Sequence, residues 1–144
     1  MKIRVEQVNI PETEVIIQCV DPADEEVSSI IAALNEINRR IPVQQIDTLI
    51  LLGPQNVLYC EYVNRRVFIY TAQEVFNCGL SLFQLEREYE NLFRCSKNTV
   101  VNIHQIKHLK SELHGRILVT LSNGEKILIS RHYASALRKR LKER

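Results

Sequence analysis

The chain has 144 residues, 45% of them hydrophobic and 25% charged, the make-up of about one ordinary globular domain and not of a disordered or fibrous chain. Its apolar runs, such as Thr48 to Gly53 and Val67 to Ala72, fall far short of the ~18 residues of a membrane helix, and Lys2, Arg4, Glu6 and Asn9 leave no apolar core for a secretion signal, so a cytoplasmic location is expected. Charge is sorted: residues 94–144 carry twelve Lys/Arg against three Asp/Glu, residues 1–93 seven against fourteen, a split that points to a polyanion such as nucleic acid as the partner of the basic half.

From the N-terminus, Lys2 to Asn9 and Glu14 to Val20 read as two strands joined through Pro11-Glu12-Thr13, with Val15, Ile17 and Cys19 alternating onto one face. A helix is predicted next. Asp21 serves as N-cap, Pro22 stands at the first helical position, Asp24, Glu25 and Glu26 complement the dipole, Arg39 and Arg40 close the last turn, and Pro42 stops it. Its apolar stripe of Val27, Ile30, Ile31, Leu34 and Ile37 suits either the core or a second subunit.

From about Gln45 the pattern is mainly strand: Ile46 to Leu52, Val57 to Tyr62, Arg66 to Thr71, Ile106 to Ser111, Arg116 to Leu121 and Lys126 to Ile129. Asn123-Gly124 within Ser122 to Glu125 predicts one tight hairpin, and Asn64-Arg65 a second. Ser81 with Gln84 makes a capping box ahead of a helix bearing Leu82, Leu85, Tyr89 and Leu92. A last helix is predicted from His132 or Tyr133 to about Leu141. The fold class that results is mainly β with small helices, α+β overall: an N-terminal strand-strand-helix segment over residues 1–44, then an antiparallel β domain over 45–144.

Little here supports catalysis or metal binding. Cys19, Cys60, Cys78 and Cys95 form no C-x-x-C pair and read as reduced, mostly buried thiols, with Cys95 singled out because a nearby cation such as Lys97 would lower its pKa. His104 and His108 stand i, i+4, yet their surroundings read as strand, so no metal site is expected. Gly79-Leu80-Ser81 begins like a nucleophile elbow, but Phe83 stands where the second Gly belongs. No cofactor, no small-molecule substrate and no enzymatic activity are expected.

The run Phe93-Arg94-Cys95-Ser96-Lys97-Asn98-Thr99-Val100-Val101-Asn102, then Ile106, then Ile127-Leu128-Ile129-Ser130-Arg131-His132-Tyr133 before a basic helix, resembles the LytTR (LytR/AlgR-type) DNA-binding domain. Val57-Leu58-Tyr59-Cys60-Glu61 and the Leu82 to Glu86 helix occupy the places of two further family motifs, so the resemblance spans about residues 45–144. It implies an elongated antiparallel β fold that offers loops to successive major grooves of double-stranded DNA. Arg131 then matches the main base-reading arginine, suited to guanine N7 and O6. Lys97 matches a polar DNA-facing position; Ser96, Asn98 and Ser130 suit phosphate contacts, with His132 beside them, and Arg65 or Arg66 is a further contact in its hairpin.

Regulation is expected to be that of a stand-alone member, because residues 1–44 are too short for a phosphoacceptor domain; the resemblance implies control by abundance or by a companion membrane protein. The amphipathic stripe lies in an acidic segment that DNA would repel, so residues 1–44 are expected to provide a homodimer contact. The competing class is a protein-interaction adaptor regulated by a membrane partner, without direct DNA readout.

Overall fold

The computed structural model describes residues 1–142, apart from the side chains of Ile37 and Asn38; Arg144 of the basic tail and the Ile37 member of the helical stripe therefore lie outside the described residues. Two compact units are present, Met1–Asn38 and Arg39–Arg144. In the first, helix α1 spans Glu25–Asn38. Its cap is Asp24 and not Asp21: the Asp24 carboxylate accepts the Glu26 N–H at 3.0 Å and its carbonyl accepts the Ser28 N–H at 3.0 Å, while Asp21 closes the preceding turn through the Ala23 N–H. Of the stripe, Val27 is buried, Ile30 and Leu34 are half-buried and Ile31 is exposed. The two strands expected ahead of this helix do not form. Strands need neighbours to take their backbone N–H and C=O groups, and here Val5, Val15 and Ile16 stand in solvent unpaired.

The second unit is built from antiparallel strands. A seven-stranded sheet contains β1 (Ile41–Gln45), β2 (Thr48–Leu52), β3 (Tyr59–Val63), β4 (Arg66–Tyr70), β5 (Val75–Cys78), β6 (Leu92–Ser96) and β7 (Thr99–Asn102) in the order β2-β1-β5-β4-β3-β7-β6. A second sheet has the order β10-β9-β8, with β8 (Ile106–Ser111), β9 (Ile117–Leu121) and β10 (Lys126–Ile129). Helix α2 (Leu82–Glu88) follows β5 with the expected capping box, and α3 (Arg131–Lys142) follows β10. Pro42, read as a helix stop, sits near the start of β1, where a missing N–H is tolerated. Leu92, read as helical, begins β6 instead, because the chain turns extended at Tyr89 (φ −121°) while the Tyr89 hydroxyl is held by the Arg40 carbonyl at 2.9 Å.

Two cores lie on opposite faces of the large sheet. Ile41, Val43, Val67, Ile69, Phe76 and Val100 pack with Leu82, Leu85 and Tyr89 on one side. On the other, Cys95 and Val101 pack with Ile117, Val119, Ile129, Ala134 and Leu137. Consecutive residues of a strand point to opposite faces, so Val100 and Val101 enter different cores. That two-sided burial removes the polar–apolar alternation by which β6 and β7 would have been recognised.

Candidate nucleic-acid interface

Three polar turns of the second unit carry every candidate side chain. The β3–β4 hairpin closes through Asn64 (φ 52°) and Arg65 (φ 65°), the paired left-handed residues of a tight hairpin turn. Arg65 and Arg66 are exposed and border an open cleft of about 670 Å³ with Tyr62, Asn77, Ser81 and Gln84. Neither guanidinium has a hydrogen-bond partner among the described residues.

The second turn, Lys97-Asn98, joins β6 to β7, where Ser96 pairs with Thr99 and a bulge between Arg94 and Ser96 takes up the register shift. It is held from two sides. Arg94 donates from Nε to Glu86 Oε2 at 2.8 Å and from Nη1 to the Lys97 carbonyl at 2.7 Å, and the Tyr62 N–H donates to the Asn98 carbonyl at 2.8 Å. Ser96 is half-buried, whereas Lys97 and Asn98 are exposed. Arg94 therefore faces its own protein as a clamp, a role its place in the basic run did not disclose.

At the third turn, β10 passes into α3. The Ser130 N–H donates to the Cys95 carbonyl at 3.0 Å, and the Ser130 carbonyl accepts from Tyr133 and Ala134 N–H groups, both at 3.0 Å, so Ser130 starts the helix and ties it to β6 one residue before Ser96. Arg131 and His132 then emerge exposed from the first turn of α3, over the buried Ala134 and Leu137. This one bond joins the Ser96-Lys97-Asn98 turn to the Ser130-Arg131-His132 turn. The Tyr62 bond sets the β3–β4 hairpin at the same end of the sheet as the Lys97 turn.

Arg131 borders a cleft of about 650 Å³ with Arg116, Arg138, Lys139 and Lys142, relieved by Glu112. Gly115 (φ 75°) closes one wall: a Cβ there would lie 3.2 Å from Arg131 Cγ, so glycine serves both the left-handed backbone and the close approach of the arginine stem. Arg138 donates to Ser111 Oγ at 2.6 Å, and Arg140 donates to the Glu90 carbonyl at 2.6 Å. Helix α3 thus continues to Lys142 with Arg138 and Arg140 anchored to the body of the unit. Gly115 and Arg116 are not recognisable from sequence as neighbours of Arg131, because they reach it from a turn distant in the chain.

Two expectations about the cysteines are corrected by the fold. Cys95 is fully buried with its thiol on the Thr99 carbonyl, and burial pushes its pKa up to about 12, outweighing the lowering by Arg94. Cys19 is exposed and Cys78 only half-buried, so burial holds in full for Cys60 and Cys95 alone. His104 lies in a short 3₁₀ turn and His108 on β8, so they share no helical face. Burial, then the hydrogen bond from Tyr59 to Glu125, raises the Tyr59 pKa; its ring stacks on Tyr70 of the neighbouring strand at 4.4 Å.

The sequence profile of the LytTr DNA-binding domain matches residues 47–142. The chain belongs to the LytTR family. A solved LytTr DNA-binding domain from Bacillus cereus superposes with a TM-score of 0.66 at 25% identity, over 72% of this chain and 96% of that one, which agrees with the mainly antiparallel β fold. The chain is also 30% identical over 138 residues to an uncharacterized HTH-type transcriptional regulator of Staphylococcus aureus (strain MW2), and 29% identical to its counterpart in strain MRSA252, covering 93% of this chain and 94% of each relative. In this LytTR chain, strands separate the described helices from one another, so no two of them form a helix-turn-helix. Strand β1 lies ahead of the matched span. No helix among the described residues is long and apolar enough to cross a membrane.

Proposed function

We propose that this LytTR protein is a transcriptional regulator that binds double-stranded DNA sequence-specifically and reads the major groove through its turns. The observation that carries this reading is the Ser130 N–H to Cys95 carbonyl bond at 3.0 Å, which ties the start of the helix bearing Arg131 to β6, the strand that leads into the Lys97 turn, on the basic half of the chain. A groove-reading arginine must present two parallel donors to guanine N7 and O6. Arg131, rising from a helix start whose underside is buried, has the support that such a geometry requires. Lys97, with Ser96, Asn98 and Ser130, supplies phosphate contacts that set register; His132 flanks them, and Arg65 and Arg66 extend the contact along the duplex.

The names borne by the staphylococcal relatives support regulation of transcription as the purpose of this binding. Selection of bound sites from random duplexes tests it: enrichment of a recurring sequence, with affinity falling steeply as salt rises, is the expected result. Absence of any enriched sequence together with salt-independent association overturns it and favours the adaptor reading.

A further inference from the structure

The two sheets expose four edge strands, and three of them are guarded. Edge strands invite pairing with another chain unless charge, a bulge or a cover blocks it. Strand β6 has Arg94, a bulge, and its Cys95 carbonyl taken by Ser130; β8 has Lys107 and Lys110; β10 has Lys126. Strand β2, Thr-Leu-Ile-Leu-Leu, has no charge, no proline and no bulge, and among the described residues it pairs only with β1. Leu49 and Leu51 stand on the outer face, 63% and 57% exposed. Beside them Ile46, 93% exposed, holds φ 54° at the hairpin turn, a conformation costly for a β-branched residue.

We propose that the β2 edge is a self-association surface whose occupant is β2 of a second copy. The hairpin phase supports this choice. A two-residue turn at Ile46-Asp47 makes Gln45 and Thr48 a hydrogen-bonded pair, so Thr48, Ile50 and Leu52 direct their backbone groups to β1. Leu49 and Leu51 direct theirs outward. An antiparallel pairing centred on Ile50 sets Leu49 of each copy opposite Leu51 of the other. Four hydrogen bonds form, every free backbone group of both strands is used, and the exposed leucines face each other, as two-fold symmetry demands. A charge-free strand has no self-repulsion to overcome. Since β2 and β6 are opposite edges of a seven-stranded sheet, about 29 Å separates this contact from the Lys97 turn, leaving that turn clear. The inference is independent of what the basic half binds.

Sedimentation of the full chain at micromolar concentration tests it. The wild type is expected to dimerise, and Leu49→Lys with Leu51→Lys to weaken the dimer by about 100-fold with an unchanged circular dichroism spectrum, since both positions lie outside the core. Mixing that variant with Leu49→Glu/Leu51→Glu should restore a mixed dimer, because each Lys then meets a Glu across the edge. A monomeric wild type, a double-Lys variant that still dimerises, failure of the mixture to pair, or dissociation by Val5→Lys with Ile16→Lys in place of the edge variant overturns the proposal.

Discussion

Lys97 and Arg65 each occupy a two-residue turn at the same end of the large sheet, but the turns rest on different supports. Arg94, Tyr62 and, through Cys95, Ser130 bind the backbone around Lys97 from outside the turn. Asn64-Arg65 is shaped only by its own left-handed backbone, and its arginines lie free on an open cleft. Binding must offset the entropy of ordering the side chains that make contact. Cations on a pre-fixed backbone therefore contribute more to specific recognition than those on a free hairpin tip, and Arg131 and Lys97 should dominate over Arg65 and Arg66.

The largest test strikes the support under the fixed side. Leu137 is fully buried among Ile117, Ile129 and Ala134, so Leu137→Ala should lower stability to urea by about 2–5 kcal/mol and release α3 and Arg131 together. A loss below about 1 kcal/mol would show that α3 does not anchor the site. Next comes readout: Arg131→Ala should cost about 1–3 kcal/mol on the preferred duplex, measured by fluorescence anisotropy, with nonspecific affinity nearly intact.

Smaller is the effect of Lys97→Ala. As a phosphate contact it should weaken binding across all sequences and make the log–log salt dependence shallower by about one unit; an unchanged slope removes Lys97 from the backbone contact. The smallest expected change is at the free hairpin. Arg65→Gly relieves a left-handed non-glycine residue, so a stability gain of about 0.5 kcal/mol is expected from thermal unfolding, with little loss of specific affinity. If Arg65→Gly costs as much readout as Arg131→Ala, the contrast between fixed and free turns fails.

Local chemistry explains what was readable in the chain. Asn123-Gly124 and Asn64-Arg65 announced their hairpins, Lys126–Ile129 is the strand expected, and Ser81 with Gln84 forms the capping box that their spacing required. Each depends on residues within a few positions of one another, where backbone preference and short hydrogen bonds decide the outcome. The sorted charge and the motif around Arg131 likewise belong to the sequence, and the family match agrees with them.

Tertiary structure decided what depended on a partner distant in sequence. Residues 2–20 have strand-like alternation but no neighbour to complete a ladder, so they remain unpaired, whereas β5, β6 and β7, with weak alternation of their own, form because each has a neighbouring strand to pair with. Cys95, beside cations in sequence, has its pKa raised because the fold buries it. Arg94, next to Lys97 in the basic run, turns inward to Glu86 while Lys97 turns outward. Sequence determined which residue types were present and the turns they favour; which of them became contact, clamp or core was set by burial and by long-range backbone pairing, energies that no local window contains.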